Sequence, residues 1–467
     1  MSIENTTPEN HERKLISVEV NQLLGRFDHR VEFPADRDFV ILHGPNGIGK
    51  TKLLELIEAT FSIDIYTISE TPFRSVSLTF SDGRILSVER LGQEALPGLG
   101  EEEANSDSFI MRLLEPGRGE ITWNASEAAQ ADPVPLTRFI SQGDFPVRRL
   151  ASGRWGDLTD GETLSTREVI SRYRDLVPAR YFGVKLEGVP QEISRLLEAT
   201  KVHLIETQRL INVTYPSARG ARESERRQPT VLEFSRDFSR RLDDALAQNS
   251  RVSQGLDRSF PRRLLSETEL DPEITEEAIR ERYSKQSDTR KRLTQISVLD
   301  ASGELPLPDR ELASWEKRVL WTYLNDTEQK LRTFQDLLDR VALLREIVNS
   351  RFLYKELILD REGFKVVTST GKEIKASQLS SGEQHELVLT YDLLFNAHEN
   401  SLVLIDEPEI SLHVAWQKEF LNDIVRIAAI NSSRFIVATH SPQIINKYWS
   451  QTVGLEPGYE DEALWVR

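Results

Sequence analysis

The run "FVILHGPNGIGKT", residues 39–51, decides the fold. An apolar stretch that ends at a glycine reads as a strand covered on both faces. The octet GPNGIGKT, residues 44–51, matches the G-x-x-x-x-G-K-[ST] pattern. Residues 52–62, KLLELIEATFS, then carry apolar side chains at helical spacing. A strand, a glycine-rich turn and a helix in that order are the context a phosphate-binding loop requires. Glycine lets the backbone curl so that its N–H groups face an anion, and the helix N-terminus adds partial positive charge. Asn46, Gly47 and Gly49 would line that cradle. Lys50 would reach the β- and γ-phosphates, and Thr51 would ligate Mg²⁺. ATP and Mg²⁺ are the expected ligands.

Three later stretches supply the remaining chemistry. LVLIDEPE, residues 402–409, is an apolar strand that delivers Asp406 and Glu407 to its end. Asp406 suits a Mg²⁺ shell, and Glu407 suits the base that orients and deprotonates water for γ-phosphate hydrolysis. A carboxylate pair can also simply cap a helix, so the pair gains its meaning from the phosphate loop. ATHSP, residues 438–442, places His440 at another strand end, where it can sense the γ-phosphate. A lone histidine there is otherwise a structural residue. QLSSGEQHEL, residues 378–387, has two capping-box spacings. Ser380 precedes Glu383 by three, and Ser381 precedes Gln384 by three, so either serine can cap the helix. The plain reading is a well-capped helix. The same exposed N–H groups at Gly382, with a serine hydroxyl, make a second anion site.

The surrounding chain alternates strand and helix patterns, which predicts an open parallel α/β sheet with chemistry at the strand ends. SVSLTFSDGRILSVER, from Ser75, reads as a hairpin about Asp82-Gly83. Residues 92–133 are rich in Gly, Glu and Ala and read as a surface insertion. Residues 190–200 read as a helix, and KVHLIETQRL from Lys201 as a buried strand. From about Thr230 to Phe352 the pattern is helical. A last helix from about Glu311 would be about 60 Å long at 1.5 Å per residue. It reads either as a coiled-coil-like hairpin or as core-packing helices. KELILDREGFKVV, from Lys355, reads as a second hairpin.

Composition narrows the class. A net charge of −16 over 467 residues disfavours general electrostatic binding of nucleic acid, and leaves a local basic patch open. The chain has 0 cysteines, which excludes disulfides and thiolate metal sites. No apolar run approaches the roughly 18 residues of a membrane helix. The N-terminus is polar, so the expected location is the cytoplasm, without a membrane partner.

Phosphate loop, LSSGEQ, IDEP and THS, in that order, resemble the ATP-binding-cassette ATPases. Within them the chain looks like the branch containing SMC proteins, RecF and the overcoming-lysogenization-defect (OLD) ATPases. The resemblance implies an α/β ABC-ATPase head with an inserted α-helical, coiled-coil-like hairpin. Lobe I would span 1–215, the helical insertion 216–352 and lobe II 353–467. It implies that Ser380, Ser381, Gly382 and Glu383 of one protomer close over nucleotide held by Lys50 of another. That makes a homo-oligomer, at least a dimer, with composite ATP sites. It also implies a glutamine that watches Mg²⁺ and the γ-phosphate. Gln208 in HLIETQRL and Gln142 in RFISQGDF compete, and Gln208 is preferred because it directly precedes the helical block. His413 stands where transporter ATPases usually have Asp, which speaks against a transporter motor.

With 27 residues after His440, no nuclease domain is expected there, and a zinc hook needs cysteines. The pattern therefore resembles ATPase subunits of bacterial anti-phage defence systems, whose Septu-type and retron-associated members share the motifs. Such a protein is expected to hold a separate toxic effector, a nuclease, until a phage-encoded trigger protein arrives. The competing expectation is a DNA repair or maintenance ATPase. Its basic path would use Arg219, Arg222, Arg226 and Arg227 with Arg240 and Arg241, although arginines in a loop with interspersed Glu more often form a solvated hinge.

Overall fold

The computed structural model describes residues 13–91, 109–124, 140, 145–150, 154–158, 162–164, 169, 173, 188–205, 211–213, 227–266, 274–299 and 306–456. The chain divides into two compact units. One comprises residues 1–228 and 397–467, the other 229–396.

The first unit holds a five-stranded sheet in the order Val202–Ile205, Leu402–Asp406, Arg434–Ala438, Phe39–His43, Thr452–Gly454. Each neighbouring pair is parallel. The strand Leu402–Asp406 is buried at every position, which is why it reads as an unbroken apolar run. Val202–Ile205 is an edge strand and three of its four residues are only half-buried, unlike the buried strand expected there. The helix Lys50–Ser62 packs on Val202–Ile205 and Leu402–Asp406. Its Leu53, Leu54, Leu56 and Ile57 share one core with Leu404 and Ile436 of the parallel sheet.

That core continues into a six-stranded sheet, whose strands Leu15–Leu23, Ser75–Phe80 and Ile85–Arg90 intersperse buried residues with half-buried or exposed ones. The hairpin about Asp82-Gly83 forms as expected, with Gly83 at φ 80°. The insertion expected over 92–133 needs correction in its middle. Phe109–Glu115 and Gly119–Asn124 form a hairpin that extends this sheet. Phe109, Met111 and Leu113 are buried in its core. The alternation in FIMRLLE was the available signal, hidden between glycine- and acid-rich flanks. Residues 92–108 and 125–133 lie outside the described residues.

The second unit is helical at its start. Thr230–Ser266, Glu276–Gln295, Ser314–Arg332 and Gln335–Arg351 are its long helices. Ser314–Arg332 packs against both Thr230–Ser266 and Glu276–Gln295. The single long helix expected from Glu311 is broken at Thr333-Phe334. Asn249 explains the break: its Nδ2 donates to the Lys330 carbonyl at 2.7 Å and to Thr333 Oγ1 at 3.1 Å. Phe334 N then bonds Leu331 O at 3.0 Å, a tighter turn than the α-helix makes. Among the described residues no helix is long and apolar enough to cross a membrane.

Residues 353–396 belong to this helical unit, unlike the boundary expected at 352. Lys355–Asp360, Gly363–Thr368 and Glu373–Lys375 form an antiparallel sheet. Phe364 N donates to Ser235 Oγ at 2.8 Å. A Cβ on Gly363 would lie 2.7 Å from the Ser235 carbonyl oxygen, so only glycine lets the strand approach the helix. Phe238, Phe364, Tyr391 and Phe395 pack their rings together behind that contact, with Tyr391 and Phe395 stacked. The second unit ends with the helix Ser381–Tyr391 and a π-helical turn, Asp392–Asn396.

Candidate functional site

The phosphate loop leaves the parallel sheet after His43 and ends at the N-terminus of helix Lys50–Ser62. Gly47 and Gly49 sit at φ 83° and 92°, values that side chains with a Cβ rarely adopt. Lys50 Nζ folds back on its own loop, donating to the Gly44 and Pro45 carbonyls at 3.0 Å each. Burial pushes the Lys50 ammonium below its usual range, while Glu407, Asp406 and Glu409 pull it back up. His29, which sequence reasoning missed, supports the loop from behind. Its Nε2 lies 2.9 Å from the Ile48 carbonyl, and burial lowers its pKa. Nothing in the His29 flanks distinguishes it; only the pairing of two distant segments does.

The strand Arg434–Ala438 separates the loop's strand from Leu402–Asp406. Parallel alignment therefore brings three strand ends, at His43, Asp406 and Ala438, to one edge of the sheet. Thr51 Oγ1 donates to Asp406 Oδ2 at 2.9 Å. Asp406 is buried, and its Oδ1 has no hydrogen-bond partner among the described residues. Burial pushes this carboxyl up, Thr51 lowers it, and Glu407, Glu55 and Glu409 push it higher. A desolvated carboxylate with a spare oxygen beside a threonine hydroxyl fits a hard divalent cation, which takes oxygen ligands.

Glu407 adopts φ 43°, ψ 57°, a left-handed conformation that costs a non-glycine residue about 1–3 kcal/mol. Its backbone N–H still pairs with Ala438 O at 2.9 Å. The strain turns the chain so that adjacent residues both serve the sheet edge. His440 spans the site: Nδ1 lies 3.4 Å from Lys50 Nζ, and Nε2 lies 3.6 Å from Glu407 Oε1. The structure thus brings Lys50, Thr51, Asp406, Glu407 and His440 together. Sequence reasoning missed Glu409, which binds the turn carrying His440. A carboxylate two residues beyond Glu407, across a proline, was the available signal.

The signature residues belong to the second unit. Ser380 is the N-cap there, which settles the choice between the two serines. Ser380 Oγ accepts from Glu383 N at 3.4 Å, and Glu383 Oε2 accepts from Ser380 N at 2.9 Å. Lys355 Nζ holds Glu383 at 2.8 and 2.9 Å. Burial would raise Glu383, but Lys355 and Ser380 hold it below the usual carboxylate range. Ser380 and Glu383 are thus engaged locally, whereas Ser381 opens the helix with an exposed side chain and Gly382 follows it. Gln208 and Gln142 lie outside the described residues, as do Arg219, Arg222, Arg226 and the Arg227 side chain. Arg240 and Arg241 both pair with Asp237, and Arg241 also binds Asn396 at 3.0 Å. His413 caps the short helix Val414–Gln417 by accepting from Ala415 N at 3.3 Å, a role aspartate commonly fills.

Residues 217–446 match the family described as "AAA domain, putative AbiEii toxin, Type IV TA system". The chain is similar to the "Retron Ec83 probable ATPase" of Escherichia coli, 31% identical over 101 residues that make up 19% of this chain. It spans 18% of that relative's length. It is also similar to "Phosphonates import ATP-binding protein PhnC 1" of Halalkalibacterium halodurans, 24% identical over 176 residues, 34% of this chain and 67% of that one. Among solved structures, the Pyrococcus furiosus Smc head domain bound to the C-terminal domain of ScpA aligns over 96% of this chain and 94% of its own. The identity is 13% and the TM-score 0.32. The SMC head domain from Thermotoga maritima aligns over 94% of each chain, at 10% identity and a TM-score of 0.31.

Proposed function

We propose that this chain hydrolyses ATP to ADP and phosphate and works as the oligomeric sensor and scaffold of a bacterial anti-phage system. One observation carries the hydrolytic part: Lys50, Thr51, Asp406, Glu407 and His440 converge at one sheet edge, each within hydrogen-bond or ion-pair reach of another of the five. The loop amides and Lys50 bind the triphosphate. Thr51 and Asp406 would hold Mg²⁺, with Gln208 as a further contact, and the ion would neutralise charge on the β- and γ-phosphates. Glu407 orients a water and accepts its proton as the water oxygen bonds to the γ-phosphorus. The bond to the β-bridging oxygen breaks, and ADP leaves with the electron pair. His440 registers the γ-phosphate. The exposed N-terminus at Ser381-Gly382 of a second copy completes the site, so ATP drives assembly.

The defence role rests on the retron and abortive-infection matches, and on the motif order. Size, GPNGIGKT and IETQRL resemble the ATPase subunit AriA of the PARIS system in particular. In that reading a separate effector, a nuclease, is held until a phage-encoded protein arrives, in the cytoplasm. A second reading, an SMC- or RecF-like DNA-maintenance ATPase, is favoured by Arg251, Arg258 and Arg262. These are exposed and spaced to share one face of the helix Thr230–Ser266.

The deciding experiment is ATP turnover with and without double-stranded DNA, beside Glu407→Gln. Turnover indifferent to DNA and lost in the variant supports the defence scaffold. Strong stimulation by DNA supports the maintenance reading and gives the arginine stripe its ligand. Wild-type turnover in Glu407→Gln removes the hydrolytic assignment.

A further inference from the structure

Two turns carry the reacting groups of the proposed site, and a single carboxylate joins them. Glu409 Oε1 accepts from the His440 backbone N–H at 2.6 Å, and Oε2 accepts from Thr439 Oγ1 at 2.8 Å. Thr439 Oγ1 in turn accepts from Ser441 N at 3.0 Å, so its hydroxyl both donates and accepts. Glu409 sits two residues after Glu407, across Pro408, on a short 3₁₀ turn. Gln417 adds a second staple between the same segments. Its Nε2 donates to Leu412 O at 3.0 Å and to Glu409 O at 3.3 Å, and its Oε1 accepts from Ser441 Oγ at 2.7 Å.

The His440 ring is half-exposed, and its contacts to Lys50 and Glu407 are long, at 3.4 and 3.6 Å. Those contacts are too weak to hold the ring against water. Its position is set by the backbone of Thr439-His440, and Glu409 holds that segment through the His440 N–H and the Thr439 hydroxyl. Removing the carboxylate would leave the His440 N–H without its acceptor and release the turn.

We propose that Glu409 is a positioning residue that makes the water-orienting Glu407 and the switch residue His440 move as one body. This rests on the hydrolytic reading above. The anchor needs hydrogen-bond capacity more than charge. A glutamine at 409 can accept from His440 N–H through its oxygen and donate to Thr439 Oγ1 through its amide. An alanine can do neither.

The test compares Glu409→Ala, Glu409→Gln and wild type in two measurements on the full chain. The first is amide hydrogen exchange without nucleotide over residues 438–445. Exchange should quicken in Glu409→Ala alone, with the strands Phe39–His43 and Leu402–Asp406 unchanged. The second is ATP turnover. Displacing a reacting group by about 1 Å can cost about 10²-fold, so kcat should fall by about that factor in Glu409→Ala. KM for ATP should stay within about threefold, because the phosphate loop is untouched. Glu409→Gln should restore most of the rate. Unchanged exchange in Glu409→Ala overturns the proposal whether or not the wild type turns over ATP. Equal loss in both variants overturns it too, by showing that the charge acts directly. A wild type without turnover, with exchange as expected, removes the hydrolytic reading and keeps the anchor.

Discussion

Lys50 and Asp406 carry opposite charges and share one cause of perturbation. Both are buried at the sheet edge, and burial disfavours the charged form of each. Lys50 is lowered, so its charge, proposed to bind phosphate, is lost at lower pH than on an exposed lysine. ATP affinity, measured by titration calorimetry across alkaline pH, should therefore weaken before the ordinary lysine range is reached. Asp406 is raised, so acidification should weaken Mg²⁺-dependent binding above the ordinary carboxylate range, while Mg²⁺-free binding changes less. Lys50→Ala should lose nucleotide binding or turnover. Glu407→Gln removes only the proposed proton acceptor, so ATP should bind as before while kcat drops by about 10²–10⁴-fold, as read by single-turnover assay. The left-handed backbone at Glu407 is a property no side-chain pattern announced.

At the scale of elements, the helix Ser381–Tyr391 shows how a motif is held in place. Glu386 forms an ion pair with Arg351 at the end of the helix Gln335–Arg351, and both side chains are buried. Breaking a buried pair leaves one uncompensated charge, so Glu386→Ala should destabilise the second unit by about 3–5 kcal/mol in denaturant unfolding. Replacing both, as Glu386→Leu with Arg351→Met, should cost less, because no charge is stranded. The same helix opens on a capping box, which was legible from Ser380 and Glu383 at their spacing. Its choice of Ser380 over Ser381 was not, because both spacings satisfy the rule. Lys355, which grips Glu383, comes from a strand 28 residues earlier. The break at Thr333-Phe334 has a similar origin, since Asn249 acts from another helix.

At the scale of the whole molecule, two units fold from a chain whose first unit is interrupted by the second. The helix N-termini at Lys50 and Ser381, the two proposed anion sites, belong to different units. Composite sites between copies would use both. Glu407→Gln with ATP should then shift the protein to a larger species by mass photometry. Ser381→Arg should abolish that shift while ATP still binds at Lys50. A shift that persists in Ser381→Arg would place assembly elsewhere.

The sequence by itself determined the α/β class, the phosphate loop, the strand ends at Asp406 and His440, and the two hairpins. Those features are local: each depends on residues within one turn or one strand, read by period and by glycine placement. Tertiary structure alone decided that the strand to His440 lies between the other two site-bearing strands, which sets Lys50 beside His440 and Thr51 beside Asp406. It alone decided that Glu409 clamps the turn carrying His440, that His29 backs the loop, and that residues 353–396 join the helices. Each of these is a pairing between segments distant in sequence, governed by sheet order and close packing, which no local spacing records.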